Sequence, residues 1–228
     1  MPPPPQDPSS RFSPSTEDYL KAIYKLEDDG PVATKALAQA LDIAPPSVTE
    51  MTKRLAERGL VEREPYKGAT LTRAGTKMAL EVLRHHRLLE LYFKEVMDYS
   101  WDELHEEAEQ LEHHISETFE EKIDELLGFP ARDPHGHPIP SRAADAVEDV
   151  ATRRLADLEE GDRAVVCHLA DDDPALLEHL EERDLLPSAK LDVEAAEAFD
   201  GPLTVRVEGR EPQIVGRVVA QSVFVRPM

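Results

Sequence analysis

TKALAQALDIAPPSVTEMTKRLAERGLVEREPYKGATLT, residues 34–72, is the stretch that decides the fold. Its apolar residues first recur at helical spacing from Lys35 to Leu41, with Thr34 placed to cap the turn. Asp42 to Pro45 break the pattern. A further helix is expected from about Pro46 to Arg58, opened by a proline where the missing N–H costs nothing, and Gly59 stops it. Leu60 to Glu64 and Ala69 to Thr72 then read as two short strands around Pro65-Tyr66-Lys67-Gly68, a hairpin with a basic tip. Upstream, a helix is expected over Thr16 to Asp28, capped by Thr16 and ended by Asp29-Gly30-Pro31. Its apolar stripe is Tyr19, Leu20, Ile23, Tyr24 and Leu26. Helices joined by a tight turn and followed by a β-hairpin make a winged helix-turn-helix.

In such a fold the second helix of the pair enters the major groove and reads bases with its N-terminal residues. Those are Ala44, Pro46, Ser47, Thr49 and Glu50. Hydroxyls meet base edges or phosphates, Glu accepts from a cytosine amino group, and Ala or Pro touches a thymine methyl. Lys53, Arg54 and the wing-tip Lys67 suit phosphates. The net charge of −21 argues at first against nucleic acid, but its distribution decides otherwise. Residues 11–80 carry 11 Lys/Arg against 10 Asp/Glu, net +1, whereas 81–140 carry net −11 and 141–228 net −10. The near-neutral segment is the footprint of a DNA-contacting face. The acidity elsewhere, with 17 Arg against 9 Lys, suggests a cytoplasm of high salt.

One cysteine, Cys167, excludes a disulfide framework and a Cys-rich zinc module, which fits a reducing cytoplasm. No apolar run reaches the roughly 20 residues of a membrane helix. The Pro-rich start, residues 1–12, lacks the basic and apolar regions of a signal peptide and reads as a disordered leader.

After the hairpin, long helices are expected over Thr72 to about Tyr99, from a Ser100/Glu103 capping pair to about His114, and over Ser116 to Leu127 before Gly128. His86 and Glu90 lie four apart and share a face. On the next helix His105, Glu109, Glu112 and His113 fall within an arc of roughly 100°, at about 100° per residue. Imidazoles and carboxylates on two sequential helices can converge on a divalent ion such as Mn, Fe, Co, Ni or Zn. His135-Gly136-His137 reads as a turn rather than a site. No Glu-x-x-His falls on these helices, and no His-Glu-x-x-His, phosphate loop or nucleophile elbow is present. With no catalytic frame, the chain is not expected to be an enzyme. A metal-independent winged-helix regulator, its His/Glu set merely solvated, stays open at this point.

A short helix over about 142–158 leads to strand-like segments at Arg163 to Leu169, Lys190 to Val193, Leu203 to Val207, Gln213 to Val219 and Ser222 to Val225, interrupted by a helix from Pro174 to Glu182. Five short strands and a helix suggest a small β-barrel.

Taken together these residues resemble the diphtheria toxin repressor family of metal-dependent regulators, over nearly the whole chain. The matching stretches are Thr16-Glu17-Asp18-Tyr19-Leu20, Pro46-Ser47-Val48-Thr49, Gly59-Leu60-Val61, His86-Arg87-Leu88-Leu89-Glu90, residues 105–113 (HEEAEQLEH) and Gly136-His137-Pro138-Ile139-Pro140. Gly161-Asp162 and Phe199-Asp200-Gly201-Pro202-Leu203-Thr204-Val205 are similar to the SH3-like, ferrous-transport-A-like domain of some members. The resemblance implies a mainly α fold with a β component: a leader at 1–12, a winged helix-turn-helix DNA-binding domain at 13–75, a helical metal-binding and dimerisation domain at 76–140, a linker at 141–158 and an SH3-like small β-barrel at 159–228. It implies a primary, activating site of Asp18, Glu109, Glu112 and His113, and an ancillary site of His86, Glu90 and His105, to which the tail would add His168 and Asp171. It also implies a cytoplasmic homodimer, without membrane attachment, that binds an inverted-repeat operator in double-stranded DNA and represses metal-uptake genes. Iron-responsive members carry Met and Cys where this chain has Asp18 and Glu109. Hard oxygens there favour Mn²⁺, the pattern of the manganese-responsive branch. Lys21 stands where that branch often has a further carboxylate, so Fe²⁺ remains the alternative.

Phosphate contacts lose affinity steeply as salt rises. If the cytoplasm is saline, operator binding must rest on base contacts and shape. A gel shift across a salt series is expected to give a shallow slope of log affinity on log salt; a steep one counts against the high-salt origin.

Overall fold

The structure, a computed structural model, describes residues 12–27, 30–64, 66–143, 151–170 and 173–228. The expected leader lies outside these residues up to position 11, as do Asp28 and Asp29, Pro65, residues 144–150 and Asp171. The chain divides into two compact units. One comprises 1–86, 109–122 and 140–147, the other 87–108, 123–139 and 148–228.

The first unit opens with three helices, α1 (Pro14–Leu26), α2 (Thr34–Ala40) and α3 (Pro45–Glu57), followed by strands β1 (Val61–Glu64) and β2 (Gly68–Leu71). α1 begins two residues before the expected Thr16, with Ser13 as its N-cap and Pro14 in the first turn. Thr16 is therefore inside the helix, buried, with its hydroxyl 3.1 Å from that of Ser13. α2 likewise starts at Thr34 itself, with Ala33 at the cap position. α3 starts at Pro45, because both of its leading prolines occupy positions whose N–H has no helical partner. Gly59, at φ +71°, ends α3, and the Leu60 N–H reaches back to the Leu55 carbonyl at 3.0 Å. The inward stripe of α1 is Tyr19, Leu20 and Ile23, which pack with Val32, Leu37, Val48, Leu55, Leu60 and Val61. Leu26, expected in that stripe, is 41% exposed at the helix end.

The two wing strands pair antiparallel, Val61 opposite Leu71. Val32 adds a third rung by exchanging backbone hydrogen bonds with Ala69, at 2.8 and 3.1 Å. A side chain at Gly68 would place its Cβ 2.0 Å from the Val32 carbonyl oxygen, and its φ is +142°. Only glycine combines that torsion with that approach.

The later helices are α4 (Arg73–Met97), α5 (Trp101–Leu111) and α6 (Glu117–Leu126). Ser100 and Glu103 form the expected capping pair, with the Ser100 hydroxyl 2.5 Å from the Glu103 carboxylate. In the first unit Arg84 on α4 forms a buried pair with Glu120, 2.5 Å apart.

The second unit carries a six-stranded antiparallel sheet of β3 (Arg153–Arg154), β4 (Arg163–Leu169), β5 (Lys190–Ala196), β6 (Leu203–Val207), β7 (Gln213–Val215) and β8 (Val223–Pro227). The strands lie in the order β3-β8-β4-β5-β6-β7. α7 (Pro174–Glu181) follows β4, and α8 (Arg217–Gln221) precedes β8. On β6, Leu203, Val205 and Val207 point inward, the alternation expected of a half-covered strand.

Two expectations fail here. The strand expected over Gln213–Val219 stops at Val215, and the valines beyond it lie on the short α8. Val218 is exposed there while Ala220 is buried, so the tight return to β8 overrides β-propensity. The helix expected over 142–158 is absent from its described end. Arg153 and Arg154 pair with Val225 and Phe224 on β8, and Leu155–Asp157 form one tight turn that buries Leu155 and Ala156.

Replacing Gly68 with alanine is expected to lower stability by about 1–3 kcal/mol, the scale of a strained backbone position. Urea unfolding checks this; an unchanged midpoint would mean that the wing does not depend on its contact with Val32.

Candidate metal centres and nucleic-acid interface

α1 presents Glu17, Asp18 and Lys21 on one side of the first unit, and the end of α5 with the turn after it presents Glu109, Glu112 and His113. His113 Nε2 is 2.9 Å from Asp18 Oδ1 and 3.3 Å from Glu112 Oε1. Its other nitrogen, Nδ1, is 2.6 Å from Glu17 Oε2. Asp18, Glu112 and His113 each offer a ligand atom within 4.8 Å of the others. That spacing suits one divalent cation, since ligands about 2.0–2.6 Å from such an ion stand up to roughly 5 Å apart.

Glu109, the fourth expected ligand, is engaged differently. Lys21 donates to Glu109 Oε1 at 2.7 Å and to Glu112 Oε1 at 2.5 Å. The lysine side chain is only 7% exposed and that of Glu112 is 0% exposed. Burial alone would lower the ammonium's pKa; the charges of Glu112 and Glu109 outweigh it and raise the pKa above the ordinary lysine value. Burial also opposes a charge on His113. Hydrogen bonds to Asp18 and Glu17, with the nearby carboxylates, overcome it and push its pKa up to about 10. Two cationic groups of the chain thus balance the carboxylates, and a cation taking His113 Nε2 must displace a proton.

The residues expected as an ancillary site fall in different units. His86 belongs to the first, with Nδ1 2.6 Å from Glu112 Oε2. Glu90 and His105 belong to the second and pair at 3.0 Å. In that unit Glu90 Oε2 also lies 3.6 Å from His135 Nδ1.

His135 introduces a constellation that sequence reasoning took for a turn. Ligand atoms of Asp133, His135 and His137 lie within 4.8 Å of one another, two of these residues being buried. Asp133 Oδ1 accepts the His137 backbone N–H at 2.8 Å, while Arg87 stands 3.3 Å from its other oxygen. His168, expected as a ligand, packs at a tilt against His137 with ring centroids 5.0 Å apart and stacks on Phe224 at 4.4 Å. A backbone bond from the Leu169 N–H to the His135 carbonyl, 2.9 Å, ties β4 to this loop. Gly136 allows the approach, because a Cβ there would lie 2.2 Å from the Cys167 carbonyl oxygen. The available signal was the spacing Asp-x-His-x-His.

On the DNA-binding side, Ala44, Pro46, Ser47, Thr49, Glu50, Lys53 and Arg54 are all exposed at the start and along the outer face of α3. The Thr49 hydroxyl donates to the Pro45 carbonyl at 3.1 Å, which leaves its oxygen free to accept. Lys67 on the wing is 70% exposed and pairs with Glu64 at 2.7 Å.

Comparison with known proteins agrees along the chain. Residues 11–69 match the iron dependent repressor N-terminal DNA binding domain, 72–141 the iron dependent repressor metal binding and dimerisation domain, and 153–227 the FeoA domain. The iron-dependent repressor IdeR of Mycobacterium bovis is 31% identical over 223 residues, 92% of this chain and 96% of that protein. The HTH-type transcriptional regulator MntR of Oceanobacillus iheyensis is 35% identical over 118 residues, 51% of this chain and 80% of that protein. A solved manganese-dependent transcriptional repressor in complex with manganese superposes with a TM-score of 0.85 at 35% identity, covering 93% of this chain and 100% of that one.

Lys21→Met should destabilise the metal-free protein by about 3 kcal/mol, the low end for breaking a buried pair because Glu109 is 41% exposed. Mn²⁺ should restore more stability to the variant than it adds to the wild type. Urea melts with and without Mn²⁺ measure both; a variant as stable as the parent would show that the ammonium does not hold the cluster together.

Proposed function

We propose, from the premise that this chain belongs to the iron-dependent repressor family that includes the diphtheria toxin repressor, that it represses metal-uptake genes when Mn²⁺ fills the cluster built on Asp18. It is a metal-dependent, DNA-binding transcriptional regulator whose partners are operator DNA and a second copy of itself. Among the described residues no helix is long and apolar enough to cross a membrane, and its place of work in this reading is the cytoplasm. The domain limits we adopt are 13–75, 76–140 and 159–228.

The observation that carries this reading is the convergence of Asp18, from the first helix of the DNA-binding domain, with Glu112 and His113, from the turn that ends α5. Asp18, Glu112 and His113 would hold the ion, with Glu109 joining once Lys21 yields it. The bound ion supplies a compact double charge that binds one arrangement of these carboxylates better than others, and so shifts the population toward it. The chain's own part is to bring α1 and α5 to that shared point. In a dimer, two such domains held about 34 Å apart face successive major grooves of an inverted repeat. Leu126 and Phe129, exposed in the second unit, support the dimer. Glu90, His105 and His135, with Asp133, His137 and His168 beside them, would form the second metal site.

Oxygen and imidazole donors without sulfur favour Mn²⁺. Fe²⁺ is the second reading, supported by the mycobacterial iron-dependent relative that spans nearly the whole chain.

Asp18→Ala should lose at least about tenfold of Mn²⁺-dependent operator affinity, a change of roughly 1.4 kcal/mol. Fluorescence anisotropy with Mn²⁺, anaerobic Fe²⁺ and Zn²⁺ titrated separately reads this and ranks the metals. Operator binding by the variant that keeps its full Mn²⁺ dependence refutes the primary site, and wild-type binding indifferent to a chelator refutes metal control.

A further inference from the structure

We infer that Glu17 is a positioning residue for the metal centre: its carboxylate takes the Nδ1–H of His113 and so turns Nε2 toward the ion. This rests on the reading that Asp18, Glu112 and His113 hold that ion. The two nitrogens of the His113 ring face different partners. Nε2 lies among the ligand carboxylates, 2.9 Å from Asp18 and 3.3 Å from Glu112, while Nδ1 lies 2.6 Å from Glu17.

An imidazole that binds a cation through one nitrogen must keep its proton on the other. That N–H needs an acceptor, and the acceptor fixes both the tautomer and the tilt of the ring. Glu17 meets the requirement. It stands on the side of the ring away from the ligand oxygens, and its side chain is 17% exposed against 7% for His113, so water competes poorly for the bond. Neighbouring residues leave a helix about 100° apart, which lets Glu17 and Asp18 grip the two ring nitrogens from one turn of α1. Because the Glu17 bond does not require the ion, the ring is already oriented in the metal-free protein. Less side-chain freedom then remains to be lost on loading, and the negative partner makes Nε2 a stronger donor.

The test is calorimetric Mn²⁺ titration of the full chain as Glu17→Ala and Glu17→Gln, with Asp18→Ala alongside. Ring ¹⁵N and N–H signals of His113 are read in the Zn²⁺-loaded proteins. Glu17→Ala should weaken Mn²⁺ binding about 10–100-fold, the range for loss of such a partner, and abolish the slowly exchanging Nδ1–H signal. Glu17→Gln should weaken it less, because an amide oxygen still accepts the proton but carries no charge. A merely structural role predicts lower metal-free melting temperature with an unaltered ring signal, and that outcome overturns the proposal. So does Glu17→Ala with wild-type affinity while Asp18→Ala binds poorly, a result that leaves the ligand assignment standing. Asp18→Ala that binds Mn²⁺ like the parent removes the ligand assignment and this role with it.

Discussion

The carboxylate of Glu112 is wholly enclosed, and the first unit surrounds it with hydrogen-bond and ion-pair partners. Lys21 reaches one of its oxygens at 2.5 Å and His86 the other at 2.6 Å, with His113 at 3.3 Å. Taking a carboxylate out of water costs several kcal/mol, repaid only by good geometry and full hydrogen bonding. Here the repayment comes from three separate stretches of chain: α1, α4 and the end of α5. Any of them can shift only by leaving a buried charge short of a partner. Its carboxylates are held together by the chain's own cations, Lys21 among them.

The parts of this arrangement that rest on local pattern were legible in the sequence. The change from helical to alternating period after Gly59 marked the wing, and the spacing of His105 and Glu109 put them on one helix, although Glu112 and His113, expected on the same helix, fall in the turn after it. β4 and β6 were read to the residue, from Val-rich runs bounded by turn residues. The parts that rest on contact across the chain were not legible. Nothing in the sequence tells that Lys21 meets Glu109 and Glu112, 88 and 91 residues away. Glu17 looks like any surface acid until its ring partner is placed beside it. α1 starts two positions early because proline tolerates the first turn, so Ser13 serves as its cap where Thr16 had seemed the natural choice, and α3 starts at Pro45 rather than Pro46 for the same reason.

The loop at 133–137 shows the same division in the second unit. Three potential ligands within five residues read as a turn when backbone alone is considered, and a turn it is: the Gly136 N–H bonds back to the Asp133 carbonyl at 3.0 Å. What makes it more than a turn is the strand laid against it. Gly136 admits the β4 backbone at a distance that no side chain would allow, and His168 then packs at a tilt against His137. The sheet's role in this region follows from one missing Cβ, visible as a glycine in the sequence but meaningful only beside Cys167.

α1 joins the two functions of the first unit. Its thirteen residues span about 20 Å at 1.5 Å per residue. Glu17 and Asp18 lie toward its start and Lys21 near its middle, all three in the acidic cluster. Just past its end, Glu27 accepts the Leu71 N–H of the wing at 3.3 Å. Between them Leu20 and Ile23 are fully enclosed and hold the helix against α2 and α3. A close-packed helix does not bend to absorb a change at one end. Whatever fixes Asp18 therefore also fixes Glu27, and with it the β2 strand, which pairs with β1 beside α3. One packed element, α1, thus runs from the carboxylate cluster at Asp18 to the wing at Leu71.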